Sequence, residues 1–121
     1  MIPPPIRIAL LLAAVATIIW LSLAPTAALP GVSLWDKFEH AFAYLVLTLI
    51  GAWAFRATSW RLAAGLFVLG VGIEFAQALM GLGRQGDGLD AIANSLGIVL
   101  GLGLARLIGE LPMVKSRARG E

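Results

Sequence analysis

The residue most suited to chemistry is Glu74, which lies in the apolar segment "GVGIEFAQALM" with Gln77 one turn later. A carboxyl group in such a segment cannot cap a helix end, so it needs a polar partner or must take up a proton. His40 is the only histidine, and Asp90 opens another apolar segment. These three residue types serve as general acids and bases, so we predict Glu74, His40 and Asp90 as candidate catalytic residues.

A second group of residues is suited to ligand binding. Arg84 lies in a glycine-rich loop and could hold a carboxylate or phosphate with two parallel hydrogen bonds. The carboxylates and the histidine also make a divalent cation conceivable, although no recognised ligand spacing is present. The predicted binding residues are Arg84, Asp36, Lys37, Tyr44, Gln77 and Asn94.

Most of these residues also have a structural interpretation. Asp36 and Asp87 fit helix N-terminal capping, and Lys37 could extend outward to the membrane surface, which we favour over a catalytic role. Asn94 fits a contact between helices better than a ligand contact, and His40 fits a structural role equally well. For Glu74 we favour a functional role over an ion pair with Arg84 or Lys37.

The elements that position these residues are membrane helices. The 121-residue chain is 60% hydrophobic and 13% charged, against about 25% charged in a soluble domain. Short connections separate four apolar segments, and the first and third connections contain glycine, with proline in the first. A spanning helix needs about 20 residues, so the second helix must begin near Trp35 and include "DKFEH". We therefore predict an all-α, single-domain, integral membrane four-helix bundle. The predicted helices cover residues 6–24, 34–55, 60–80 and 88–108.

The basic residues predict the orientation of this bundle. Seven of the nine fall on the side that holds both termini, which the positive-inside rule places in the cytoplasm. The loops after the first and third helices then face outward. An alternative for the first segment is a cleaved signal peptide, which Pro25 and the length of the segment disfavour.

Helical spacing collects the polar residues near the outer surface. Lys37, His40 and Tyr44 recur every three or four residues on one face of the second helix, as Glu74 and Gln77 do on the third. On the fourth helix Asp90, Asn94, Gly97 and Gly101 share a face, and the two glycines predict close helix packing. We expect the three polar faces to point inward and meet.

Three blocks in order resemble the VanZ-like family of small membrane proteins, named for a teicoplanin-resistance protein. They are "DKFEHAFAY" at 36–44, "GVGIEFAQ" at 70–77 and "RQGDGLDAIANSLGIVLG" at 84–101. The resemblance covers about half of the chain and implies a multi-pass protein of a bacterial inner or plasma membrane. The residues that match the family motif are Asp36, Lys37, His40, Tyr44, Glu74, Gln77, Arg84, Asp90, Asn94 and Gly97.

Two classes of function follow from these patterns and remain open. The first is binding of an envelope lipid or a glycopeptide, in cell-envelope maintenance or teicoplanin-type resistance. The second is an enzyme that acts on a lipid-linked or phosphate-bearing envelope substrate at the outer leaflet. Ion transport is weaker, because the third helix is apolar between Glu74 and the cytoplasm. No basic and aromatic pattern points to nucleic acid, and nothing indicates an oligomeric state.

Overall fold

Over the residues that it describes, the computed structural model of the chain has four helices, as the sequence predicts. It describes residues 2–23, 34–56, 58–80, 88–110 and 120. The helices are α1 (Pro4–Leu23), α2 (Leu34–Phe55), α3 (Trp60–Met80) and α4 (Gly88–Glu110). Three of the predicted starts agree, and α1 begins two residues earlier than expected.

Local chemistry explains several helix ends. Helix α1 begins within a run of prolines, whose fixed φ suits the first turn and whose missing N–H has no partner there. Its first backbone bonds run from the Ile6 and Arg7 N–H groups to the Pro3 carbonyl. Ser59 precedes α3 and its hydroxyl oxygen accepts from the Leu62 N–H at 3.3 Å. Helix α2 stops at Arg56, whose φ of +53° is the left-handed geometry that commonly ends a helix.

The most extensive helix contact joins α2 and α4, which run in the same direction. Gly97 and Gly101 make this close approach possible. A Cβ atom at Gly97 would stand 2.1 Å from the Ala41 carbonyl oxygen, and one at Gly101 would stand 2.7 Å from Cβ of Thr48. The two backbones therefore touch where α4 has no side chains, as small residues allow between membrane helices.

The remaining helices pack around this pair. Helix α3 contacts α1, α2 and α4, whereas α1 contacts α2 and α3. Buried apolar side chains from all four helices form one core: Leu11, Tyr44, Leu47, Ala54, Leu66 and Ile98. The bundle therefore buries its interior around α2, and the polar residues of α2 lie along contacts with α3 and α4.

The side of the bundle that faces away from its core is apolar. Side chains such as Leu12, Val68 and Leu107 are 61–68% exposed, which in water would leave a large apolar surface without cover. Each helix is long and apolar enough to span a bilayer. The chain is a multi-pass membrane protein, and its exposed surface faces lipid.

Four crossings put both termini on one side of the membrane. Helices α2 and α4 begin at the opposite end of the bundle. We call that opposite end the outer end, following the predicted orientation, and the end near the termini the inner end.

Candidate functional site

Six polar residues of α2, α3 and α4 lie toward the outer end, and we call them the outer polar cluster. They are Lys37, His40, Tyr44, Glu74, Asp90 and Asn94. Each helix contributes two or more of them except α3, which contributes Glu74 alone. Their arrangement determines what chemistry the chain can perform.

Asp90 is the centre of the part of the cluster nearest the outer end, which we call its upper part; the part nearer the inner end is its lower part. Nζ of Lys37 donates to its Oδ1 atom, and Nε2 of His40 lies 3.7 Å from its Oδ2 atom. The side chain of Asp90 is 8% exposed, against 17% for Lys37. A carboxylate this deep needs a cationic partner, because the cost of its desolvation is otherwise uncompensated. One face of α2 therefore supplies both nitrogen groups that surround the α4 carboxylate.

The sequence favoured a Lys37 side chain that extends outward to the membrane surface, and the structure differs. The ammonium group turns toward Asp90 instead of extending away from the bundle. The reason is the close α2–α4 contact, which brings the first turns of both helices together. Lys37 lies one turn before Ala41 on α2, and Asp90 lies two turns before Gly97 on α4. The ion pair and the contact of Gly97 with Ala41 therefore share one interface.

The lower part of the cluster surrounds Gly70 of α3. A Cβ atom there would lie 3.0 Å from Nδ2 of Asn94 and 3.3 Å from the Tyr44 hydroxyl oxygen. Glycine at this position therefore lets one polar group from α4 and one from α2 reach the α3 backbone. Glu74, one turn farther along α3, is close enough to act electrostatically on Tyr44. All three helices thus contribute polar groups at this level.

Asn94 is the least satisfied residue of the cluster. It is only 3% exposed, and its Oδ1 atom has no hydrogen-bond partner among the described residues. A buried amide oxygen without a partner costs about 1–3 kcal/mol, so Asn94 is a poor choice for stability alone. Its unpaired acceptor marks a position where a donor from a ligand or a water molecule would be favourable.

Gln77 takes part in a different contact. Its Nε2 atom donates to the Ser22 carbonyl oxygen at 2.9 Å, and the residue is 3% exposed. The side chain therefore joins α3 to α1, a helix to which the sequence gave no polar role. One N–H of the amide is used in this bond, and the predicted binding role of Gln77 stays a prediction.

Some predicted residues fall beyond what the structure describes. Arg84 and Asp87 lie outside the described residues, and Asp36 is within α2 without a described side chain. The predicted phosphate clamp by Arg84 and the two capping roles therefore stay predictions. Glu39, two residues after Lys37 on α2, is exposed.

The possibility of a divalent cation gains no support from the described side chains. Within the described ranges, no group of three or more His, Cys, Asp or Glu residues is placed to hold a metal ion. Asp90 is already surrounded by Lys37 and His40. The upper part of the cluster is therefore arranged as an ion pair with a neighbouring imidazole.

Sequence reasoning missed one buried charge. Arg7 was counted only among the seven basic residues on the side of the termini, yet it is 6% exposed within α1. Its Nη1 atom donates to the Trp53 carbonyl oxygen at 3.5 Å. Only the three-dimensional contact of α1 with α2 reveals this burial, because the spacing of a single arginine carries no such signal.

Comparisons with known proteins identify no relative of this chain. No protein-family model matches it, and neither the curated proteins nor the solved structures contain a match. The class of the protein therefore follows from its own fold: a multi-pass, all-α membrane protein with a polar cluster among its helices.

Proposed function

We propose that the chain is a VanZ-like protein of a bacterial inner or plasma membrane that binds an envelope component through the outer polar cluster. Its role would be cell-envelope maintenance or resistance to glycopeptides of the teicoplanin type. The bound component would be an envelope lipid or the glycopeptide itself, and both termini would lie in the cytoplasm. The described residues support the proposal as follows.

The observation that carries this proposal is the convergence of ionisable and amide groups from three helices near one end of a membrane bundle. Polar groups within a membrane are costly and usually serve one another or a ligand. Lys37 retains 17% side-chain exposure, so part of it is accessible beside the buried Asp90. The Oδ1 atom of Asn94, which has no hydrogen-bond partner among the described residues, adds an acceptor for a ligand.

The state of Asp90 favours binding over catalysis. A general base must have a lone pair directed at the proton it removes. Both oxygens of Asp90 face nitrogen groups of α2, from Lys37 and His40. The carboxylate is therefore suited to fixing the positions of these two side chains, which can then meet an anionic or hydrogen-bonding ligand.

The test is a comparison of Glu74→Gln with the neighbouring Phe75→Leu in a glycopeptide-sensitive bacterial host. Glu74 belongs to the cluster, whereas Phe75 is 65% exposed on the lipid face. We expect wild type and Phe75→Leu to raise the teicoplanin concentration that stops growth, and Glu74→Gln to lose the effect at equal protein level. Teicoplanin and a polyprenyl phosphate are then added separately to purified protein, and thermal unfolding is measured.

Two results would contradict the proposal. One is a wild-type chain that neither changes glycopeptide sensitivity nor is stabilised by either compound. The other is a Glu74→Gln variant that keeps both effects at wild-type level. If Glu74→Gln only lowers protein level, and restoring expression restores resistance, Glu74 is structural.

The contact between His40 and Asp90 supports an enzyme as the second candidate. A carboxylate beside an imidazole can orient it for proton transfer, and the 3.7 Å separation allows this after a small movement. The chain would then act on a lipid-linked or phosphate-bearing substrate at the outer leaflet. An enzyme predicts that His40→Gln abolishes phosphate release from a polyprenyl diphosphate in proteoliposomes. The absence of any release with wild type would exclude this substrate class.

A further inference from the structure

Arg7 at the inner end is a buried charge that the outer polar cluster does not explain. The residue is 6% exposed in the first two turns of α1. A guanidinium group has five N–H donors and stays charged in proteins. Among the described residues Arg7 has one hydrogen bond, a long one of 3.5 Å from Nη1 to the Trp53 carbonyl oxygen. Its Nε atom is buried and has no partner among the described residues.

No carboxylate among the described side chains pairs with Arg7. The described carboxylates Glu39, Glu74 and Asp90 all belong to the outer half of the bundle. The described basic side chains at the inner end are Arg7, Arg56, Arg61 and Arg106. The described side chains at this end are therefore strongly positive. None of the described carboxylates lies there to balance the buried guanidinium group of Arg7.

The contact with Trp53 offers a partial structural explanation. Trp53 lies in the last turn of α2, where carbonyl groups lack helical partners and favour a nearby cation. Among the described residues, one long bond to a carbonyl nevertheless leaves Nε unpaired and the charge without a carboxylate partner. A buried charged donor without a partner is costly, so a further acceptor is expected when the protein is in its membrane.

The position of Arg7 in the bilayer identifies that acceptor. Trp60 begins α3 at the same end, is 74% exposed, and carries the Arg61 guanidinium 5.9 Å from its ring centre. Tryptophan and arginine so placed mark the headgroup level of a membrane. Phospholipid phosphates are abundant at this depth, and guanidinium groups bind phosphate through paired hydrogen bonds.

We propose that Arg7 is the centre of a binding site for the phosphate group of an anionic phospholipid in the leaflet that faces the termini. Nε is covered by protein in the structure, so the phosphate reaches it after a change of the Arg7 side-chain rotamer. It then accepts hydrogen bonds from Nε and Nη2, on one edge of the guanidinium group, while Nη1 remains on the Trp53 carbonyl. The lipid chains lie against the exposed apolar surface of α1 at Ile6 and Leu10, which are 51% and 49% exposed. The site is separate from the outer polar cluster and does not depend on its function.

The experiment titrates the full-length chain in detergent with phosphatidylglycerol, phosphatidylcholine or inorganic phosphate. Tryptophan fluorescence reports thermal unfolding, and native mass spectrometry counts the bound lipid. We expect phosphatidylglycerol to raise the unfolding temperature well beyond the other two. Arg7→Gln should raise the half-saturating phosphatidylglycerol concentration about tenfold, as expected for one lost charge-assisted hydrogen bond. Arg61→Gln removes the same charge from an exposed side chain at the same end and should leave this concentration nearly unchanged.

Arg7→Lys guards the test against a variant that fails to fold. Lysine keeps the charge but lacks the planar fork, so its half-saturating concentration should lie between wild type and Arg7→Gln. If Arg7→Gln does not fold, a wild-type value for Arg7→Lys overturns the proposal. Equal stabilisation of wild type by phosphatidylcholine or by inorganic phosphate overturns the assignment to an anionic lipid. Equal losses for Arg7→Gln and Arg61→Gln would instead indicate a diffuse charge effect and also overturn it.

Discussion

Gly97→Ala tests whether the contact between α2 and α4 holds the bundle together. The added Cβ would stand 2.1 Å from the Ala41 carbonyl oxygen and 2.9 Å from its carbonyl carbon. The obstacle is backbone, so no side-chain rotation can relieve it. Bringing the oxygen to 3.0 Å, the lower limit that real Cβ atoms observe, requires α4 to withdraw from α2 by about 0.9 Å.

The energetic consequence follows from two opposing terms. Overpacking at a rigid contact costs about 3 kcal/mol, whereas alanine gains up to about 1 kcal/mol over glycine in a helix interior. We therefore expect Gly97→Ala to lower the free energy of unfolding by about 2 kcal/mol. The same withdrawal would stretch the contact between Lys37 and Asp90, which spans this interface one turn from Ala41 on α2 and two turns from Gly97 on α4.

Gly103→Ala is the matched control on the same helix. Nothing lies within 4 Å of a Cβ atom there, so the substitution should be neutral or stabilise by up to about 1 kcal/mol. Both variants are unfolded reversibly in mixed micelles with increasing SDS, with tryptophan fluorescence as the signal. A Gly97→Ala variant as stable as Gly103→Ala would refute the close contact between the two helices.

Three further predictions concern the polar contacts and the topology. Lys37→Met should lower the free energy of unfolding by about 3 kcal/mol, because it leaves Asp90 buried without its ammonium partner. The double variant Lys37→Met with Asp90→Leu should recover most of this loss in the same SDS titration. A single variant with wild-type stability would mean that the pair is not desolvated. Gln77→Leu should lower the free energy of unfolding by about 1 kcal/mol, because it removes the hydrogen bond to the Ser22 carbonyl. Leu79→Ala, at a position 84% exposed, should change it little. Equal effects of the two substitutions would contradict a specific hydrogen bond between α1 and α3. Because the chain contains no cysteine, a single cysteine introduced near either terminus is the only thiol of the variant. In intact cells we expect neither cysteine to react with a membrane-impermeant thiol reagent, since both termini are predicted to be cytoplasmic. Labelling of either one from outside would reject the predicted orientation.

The faces of the polar residues could be read from spacing alone. Lys37, His40 and Tyr44 recur at helical intervals, so the sequence assigned them to one side of α2, and α4 carried Asp90 and Asn94 in the same way. Spacing cannot say which residue on one face meets which residue on another. The structure pairs Lys37 with Asp90 and brings Tyr44 and Asn94 together over Gly70 of α3.

Two residues show why partners were beyond sequence reasoning. Gln77 shares the polar face of α3, yet its amide meets the backbone of α1, and a backbone carbonyl has no signature in a sequence. Arg7 has the position of an ordinary charge in the first turn of a membrane helix, but the approach of α2 buries it. The VanZ-like resemblance concerns motif residues and gave no guidance about either contact.

The sequence by itself determined the class of the protein, the helix bounds to within a few residues and the side of each helix that carries polar groups. These properties depend on local chemistry: apolar runs of bilayer length, glycine and proline breaks, and a fixed turn of the helix. Only the tertiary structure decided that α2 and α4 form the closest pair and that Asp90 faces two α2 side chains. The physical reason is that helix pairing depends on how well whole helix surfaces fit. At Gly97 the contact is with backbone atoms of Ala41, and because every residue has such atoms, the sequence does not show which partner they meet.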